Sequence, residues 1–398
     1  MNLVVAKRDL ESALKVVSHT VSMSGSDISS HYLFRQSAEK TLEILSYNGR
    51  VYSSCPVVAA FEGEGKSFTI EAKRVHWLLE AVPDDAVLKI SYNGSGEVSI
   101  STARGKNIFG SLDPDLFPYW DDALKESEKT STLSSDRLNA ALTHAKSFIY
   151  GDDAKSPHLC IAEFRKGCLF STDQMAVSIV KVVGMEESEI RIFGKDAASV
   201  VSFLSTFKTT KGAPSEKSEK SDEKAKPESD PVEVWESDKA MFLRRKDGAV
   251  FGEAKSTSRF PDLTVDLSSE DDHWVDLPKA EVASGVKFLA AGAKWEDTVL
   301  KMDVRKGVVV LLMTSASGKP ISLEIKTIDQ GSRSGDVPAL PDGGFPVHNS
   351  YIMNLLTSCT GDTVRFGITK KGKGGWIRVK DARGTDIYLT TVAWLKNA

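Results

Sequence analysis

Leu133-Ser134-Ser135-Asp136-Arg137-Leu138-Asn139-Ala140-Ala141-Leu142-Thr143-His144-Ala145-Lys146 opens the stretch 133–182, whose reading decides the fold. Ser134-Ser135-Asp136 is an N-cap cluster: short polar side chains accept from the free N–H groups of a first helical turn. Leu138, Ala141, Leu142 and Ala145 then share one helical face, with Arg137, His144 and Lys146 off it. Two strand-like runs follow, Leu159-Cys160-Ile161-Ala162 and Cys168-Leu169-Phe170-Ser171, split by the turn Lys166-Gly167. A second turn, Thr172-Asp173, leads into the β-branched run 175–180. Helix, hairpin, hairpin is the pattern, and it recurs.

Before 133, residues 8–22 and 72–82 predict helices, the second ended by Pro83. Residues 41–47, 50–60, 87–92 and 97–102 predict strands around the turns Asn48-Gly49 and Asn93-Gly94. Residues 113–118 read as an exit loop and 125–131 as a linker. After 182, helices are predicted at 194–207, 279–293 and 349–358. Strands are predicted at 232–235, 241–245, 299–304, 308–313, 363–368, 375–379 and 386–392. The segment 208–231 is rich in Lys, Glu, Ser and Pro and has no aromatic residue; it is expected to be a disordered insert.

Helices thus open near residues 8, 72, 135, 195, 279 and 349, each followed by strands and a Gly-containing turn. The spacing is that of a sixfold βαβββ-like repeat. Paired, the repeats give an α+β chain of three similar domains: 1–128, 129–271 (carrying the insert) and 272–398. On this pattern alone, three unrelated α+β domains would also fit.

A chain of 398 residues exceeds one ordinary core, which agrees with two or three domains. With 41% hydrophobic and 27% charged residues the composition is that of a globular protein. A net charge of −4 gives no overall nucleic-acid signature, so any basic surface must be local. Cys55, Cys160, Cys168 and Cys359 lack metal or CxxC spacing and read as reduced thiols. Residues 1–8 lack a signal-peptide plan, and no apolar run approaches the roughly 18 residues of a membrane helix. A cytoplasmic location is expected.

Nothing in the sequence calls for catalysis. Gly318-Lys319-Pro320 lacks the upstream glycine of a phosphate-binding loop, and Gly372-Lys373-Gly374-Gly375 precedes a strand rather than a helix. The seven histidines never take HxxxH or HExxH spacing. Asp84-Asp85, Asp121-Asp122 and Asp271-Asp272 sit at element ends, where carboxylates serve capping and solubility. No catalytic residue, metal ligand or cofactor is expected.

Several motifs, in order, resemble the bacterial-type beta sliding clamp, the processivity factor of replicative DNA polymerases. They are Lys7-Arg8-Asp9-Leu10 with the helix after it, Ser171-Thr172-Asp173 before Met175-Ala176-Val177, Arg259-Phe260-Pro261-Asp262, Ser350-Tyr351-Ile352-Met353, and the closing run Tyr388-Leu389-Thr390-Thr391-Val392-Ala393-Trp394-Leu395. Phe-Pro-Asp is the most specific of them, and the resemblance spans nearly the whole chain. Three departures mark a divergent member, such as a phage-encoded one. Gln174-Met175 replaces the family's Gly-His-Arg, the tail lacks its Met-Pro-Met-Arg-Leu, and the charged insert is additional.

The resemblance implies a ring of two head-to-tail subunits around duplex DNA, with a clamp loader ATPase as a partner. It implies helices facing the DNA, with Lys7, Arg8, Lys15, Arg74, Arg137, Lys146, Lys287 and Lys294 as the cations that meet phosphates without reading sequence. Any one of these could equally be a solvated helix face. It further implies a pocket that takes a short hydrophobic peptide of the polymerase. By position its lining is Leu159, Thr172, Gln174, Met175, Val177, Pro261, Val265, Ser350, Thr390, Val392 and Trp394; ordinary interdomain core is the plainer alternative. The subunit contact would join residues 108–112 to 288–295. The small run Ala290-Ala291-Gly292-Ala293 there makes a weak dimer the expectation. The alternative function is a scaffold of the same fold that binds replication proteins without encircling DNA.

Overall fold

A computed structural model describes residues 1–23, 26–63, 65–151, 154–173, 176–206, 230–258, 260–261, 273–293, 299–332, 345–358, 361–371, 374–381 and 388–393. Its element order is a strand, a helix and three strands, six times over. Repeat one is β1 (Asn2–Ala6), α1 (Lys7–Val17), β2 (His31–Ala38), β3 (Thr41–Tyr47) and β4 (Val51–Val58), with a short β5 (Ala60–Glu62). Repeat two is β6 (Phe68–Glu71), α2 (Ala72–Ala81), β7 (Val87–Tyr92), β8 (Glu97–Thr102) and β9 (Gly105–Gly110), with a one-turn α3 (Asp121–Lys125) after it. Repeat three is β10 (Glu128–Ser134), α4 (Ser135–Lys146), β11 (Ile161–Arg165), β12 (Cys168–Thr172) and β13 (Ala176–Lys181). Repeat four is β14 (Arg191–Phe193), α5 (Gly194–Ser205), β15 (Pro231–Glu236), β16 (Ala240–Arg245) and β17 (Val250–Ala254). Repeat five is β18 (His273–Pro278), α6 (Lys279–Gly292), β19 (Val299–Arg305), β20 (Val308–Thr314) and β21 (Pro320–Lys326), followed by β22 (Asp329–Ser332). Repeat six is β23 (Phe345–His348), α7 (Asn349–Ser358), β24 (Thr363–Lys371), β25 (Gly374–Asp381) and β26 (Tyr388–Ala393).

The chain forms two compact units, residues 1–139 with 195–256, and residues 140–194 with 257–398. The first holds a five-stranded sheet, β5-β1-β7-β8-β9, and an eight-stranded one, β10-β15-β16-β17-β4-β3-β2-β6. The second holds a nine-stranded sheet, β14-β11-β12-β13-β26-β25-β24-β18-β22, and a four-stranded one, β21-β20-β19-β23. Long sheets arise because strands of repeat one join those of repeat four, and repeat three joins repeat six. The units therefore group repeats otherwise than the pairing in sequence order behind the three-domain division.

Local chemistry explains the elements. Ser134 Oγ accepts the Arg137 N–H at 3.4 Å and starts α4. Leu138, Ala141, Leu142 and Ala145 are buried, as their spacing requires. Lys166 and Gly167 both take positive φ (52° and 72°) between Arg165 and Cys168, the backbone a two-residue hairpin needs for its right-handed twist. On α6, Gly285 lets the helix close on the four-stranded sheet: a Cβ there would sit 2.6 Å from a Leu323 methyl.

Four expectations are corrected. Residues 125–131 are no linker, since α3 and β10 occupy most of them. Leu159 lies in a 3₁₀ turn, Pro157–Leu159, because the strand starts only at Ile161. His144 is fully buried rather than off the apolar face, packed against Phe148 with centroids 5.0 Å apart. Strands β1, β2, β5, β6, β9, β10, β14, β17, β18, β21, β22 and β23 were not anticipated, most of them being short or polar. The insert 208–231 lies outside the described residues except Asp230 and Pro231, which opens β15.

Candidate nucleic-acid face and partner site

The helices lay their apolar faces on the sheets and turn the rest outward. Arg8 on α1, Arg137 and Lys146 on α4, and Lys287 on α6 are exposed; Lys294 lies outside the described residues. Lys15 on α1 is exposed but meets Glu11 at 3.0 Å, and Arg74 on α2 meets Glu71 at 2.6 Å. Lys7 is a correction. Its ammonium is buried, donating to the Val82 carbonyl and to Asp84, each at 2.7 Å. It ties the start of α1 to the end of α2, where carbonyls lack helical partners, and holds the Asp84 carboxyl below the usual carboxylate range. A phosphate cannot compete for it without breaking that tie. Lys73 and Lys195, exposed on α2 and α5, were missed. Helix α7 carries no Lys or Arg.

Of the residues expected to line a peptide pocket, most of the described ones lie on or beside the β12–β13 hairpin. Thr172 closes β12 and pairs with Val177 at the start of β13. Thr172 Oγ1 donates to the Ala176 carbonyl (2.7 Å), and Asp173 Oδ1 accepts the Ala176 N–H (2.9 Å). Val177 packs with Ile161, Phe170, Ile179 and Phe260, and half-buried Pro261 follows Phe260. From α7, the Tyr351 hydroxyl donates to Asp173 Oδ2 at 2.5 Å. That places neighbouring Ser350, bonded through its Oγ to His348 Nδ1 at 2.6 Å, near the same turn. On β26, Thr390 pairs with Ser178 and Val392 with Ala176. Leu159 is buried, its carbonyl accepting the Tyr150 N–H at 3.2 Å. Gln174, Met175, Val265 and Trp394 lie outside the described residues. Asp173 and Tyr351 were not among the residues expected there, although both stand inside the quoted motifs; only the fold brings them together.

The first unit repeats this arrangement. Tyr47 pairs with Tyr52 across the turn 48–51, as Thr172 pairs with Val177 across 173–176. Phe117 packs on Leu33, Leu45 and Tyr52 as Phe260 packs on its own hairpin. Trp120 then covers the joint between β4 and β17, stacked on Tyr52 and edge-on to Phe242. Val177 occupies the position of Tyr52 and carries no ring. The open basin of about 260 Å³ on the five-stranded sheet, between Asn2, Ser91, Ser99 and Ile108, lies elsewhere. Among the described residues no group of three His, Cys, Asp or Glu could hold a metal ion. No described helix is long and apolar enough to cross a membrane.

Solved structures match this architecture from end to end. The DNA polymerase III subunit beta of Pseudomonas aeruginosa matches with a TM-score of 0.81 and 14% identity, over 100% of both chains. The chain has the sliding-clamp fold. The DNA polymerase sliding clamp of Bacillus subtilis matches with 0.81 and 12%, and the DNA polymerase III beta subunit of Thermotoga maritima with 0.77 and 14%, again over 100% of both chains. No family model and no curated protein matches the sequence. At such identities the sliding-clamp fold is common ground, and the working surfaces must be read from this chain's own residues.

Proposed function

We propose that the chain is a DNA sliding clamp. Copies join head to tail in a ring around duplex DNA and tether a replicative polymerase, without catalysing a reaction. One regularity supports it. In each long sheet the last strand of an odd repeat pairs antiparallel with the last strand of an even one, β4 with β17 and β13 with β26. Strands β21 of repeat five and β9 of repeat two hold the same place, yet each ends one of the short sheets. Joining β21 of one copy to β9 of the next would make a nine-stranded sheet from the four- and five-stranded ones, like the nine-stranded sheet of the second unit. Exposed Ile108 on β9 (60%) and Phe288 on α6 (68%), the helix packed on β20 and β21, would be buried there. A heterologous contact of this kind generates a ring when its rotation closes.

Around duplex DNA the outward helix cations supply sequence-blind phosphate contact. A short hydrophobic peptide of the polymerase docks at the 172–177 turn, and a loader ATPase opens the ring. The engagement of Lys7, Lys15 and Arg74 by carboxylates favours a second reading, a scaffold that binds partners without encircling DNA. Negative-stain imaging at two concentrations separates them. Rings with a central hole at the higher concentration are expected; single particles at both would leave the scaffold.

A further inference from the structure

The two strand joints inside the chain are uncharged on the face of Tyr52 and Val177. Where β4 meets β17, Tyr52 opposes Gly252 and Ser54 opposes Val250. Where β13 meets β26, Val177 opposes Thr391 and Ile179 opposes Leu389. The edges that end the two short sheets are different. β9 carries Lys106, with Arg104 in the turn just before it, and β21 carries Glu324. All three are exposed, and among the described residues none is in an ion pair. Strands joined within one chain are brought together by the chain itself; strands joined between copies must be chosen from every edge in solution.

The period of two fixes which faces would meet. On β9, Phe109 is buried, while Lys106 and Ile108 face outward and line the basin with Ser99 and Glu97. On β21, Ile325 is buried and Leu323 closes on Gly285 of α6, while Ser322, Glu324 and Lys326 are exposed. The internal joints supply the register. Gly252 and Thr391, each third from the end of its strand, pair with the residue that opposes the last residue of the preceding strand, Tyr52 against Tyr47 and Val177 against Thr172. The corresponding residues are Ile108, third from the end of β9, and Pro320, which opposes Thr314. Setting Ile108 against Pro320 puts Lys106 against Ser322 and Arg104 against Glu324, with Lys106 diagonal to Glu324 and within reach of a long side chain. Lys326 then falls opposite Thr102, beyond β9 and diagonal to Arg104. Two copies meeting through β9 alone would instead bring their cations together, and like charges across a strand pair are unfavourable.

We infer that Arg104 and Lys106 beside Glu324 form a charge code by which one copy selects the right edge of the next: the cations of β9 seek the carboxylate of another copy's β21 and repel another copy's β9. This rests on the head-to-tail contact proposed above. The test is sedimentation equilibrium of the full chain at low salt. Reversing one edge, by Arg104→Glu with Lys106→Glu or by Glu324→Lys, should weaken self-association roughly tenfold. Mixing the two reversed chains should restore it, because each then offers the other a complementary edge at both contacts. A chain with all three reversals should associate with itself as wild type does and fail to join labelled wild type. Wild-type self-association in either reversed chain, or a mixture no tighter than its components, overturns the code. So does a three-reversal chain that joins wild type. Ile108→Asp reports on the contact itself. If it abolishes association while the reversals leave it unchanged, the contact stands and the code alone is wrong. If wild type never associates, or Ile108→Asp associates as wild type does, the contact is wrong and the code falls with it.

Discussion

The indole of Trp120 lies flat on the phenol ring of Tyr52, centroids 5.9 Å apart and planes 7° from parallel. Trp120 also stands edge-on to Phe242 (6.1 Å, 90°), so one side chain bridges the β4–β17 joint. Gly252 makes room for it, since a Cβ there would lie 2.8 Å from Phe242 ring carbons and 3.3 Å from Trp120. Trp120→Ala should cost about 3 kcal/mol and Gly252→Ala about 1–3 kcal/mol, by urea denaturation. A loss under about 1 kcal/mol for Trp120→Ala would mean the joint holds without it.

His144 sets an acid limit. Burial pushes its imidazole down to about 4, from the ordinary 6.5. The unfolded chain therefore takes up a proton that the folded chain refuses between those values. The full contribution is present above pH 6.5 and falls as the pH drops toward 4, where it levels off. The loss across that window is about 3 kcal/mol for this group. Denaturation at pH 7.5 and pH 4.5 measures it, and His144→Phe should flatten the difference if the residue is responsible.

Lys7 should matter for folding and not for DNA. Lys7→Met leaves the Val82 carbonyl without its ammonium donor, at a cost of about 1–2 kcal/mol, and should not alter nucleic-acid affinity at low salt. Lys146→Ala, from the exposed face of α4, should weaken binding and lower the salt slope by about one. Equal losses from both would return Lys7 to the phosphate contacts.

Sedimentation equilibrium tests the unpaired edges. Wild type should self-associate with a dissociation constant on the order of micromolar, since the contact offers few large apolar groups. Ile108→Asp and Phe288→Asp should each leave monomer throughout. Association that survives both substitutions would place the contact elsewhere.

The six helices and most hairpins were legible because each carries a local signal. Leu10, Leu14 and Val17 recur at helical spacing, and Asn48-Gly49 and Asn93-Gly94 mark turns. His144 was misread because a titratable side chain was set off the apolar face, although Ala141, His144, Ala145 and Phe148 keep the spacing of one buried helical face. Lys7 was misread because its acceptors, Val82 and Asp84, lie 75 and 77 positions along the chain. β10 was taken for a linker because Glu128, Lys129 and Thr130 are polar on an end strand with one neighbour. The Asp173–Tyr351 bond joins residues 178 positions apart; no local pattern announces it.

The pairing of repeat one with four and three with six also governs how the chain is made. When β4 emerges during synthesis its partner β17 does not yet exist, and β13 must wait for β26. Neither long sheet can close as its own repeats appear, so both wait on sequence-distant strands, the kind of contact that forms slowly. Until then β4 and β13, paired only with β3 and β12, each keep one bare edge open to the wrong neighbour. Assembly of each unit is thus timed by translation of its far half, and a chain stalled before β26 would carry β13 as a permanent adhesive edge.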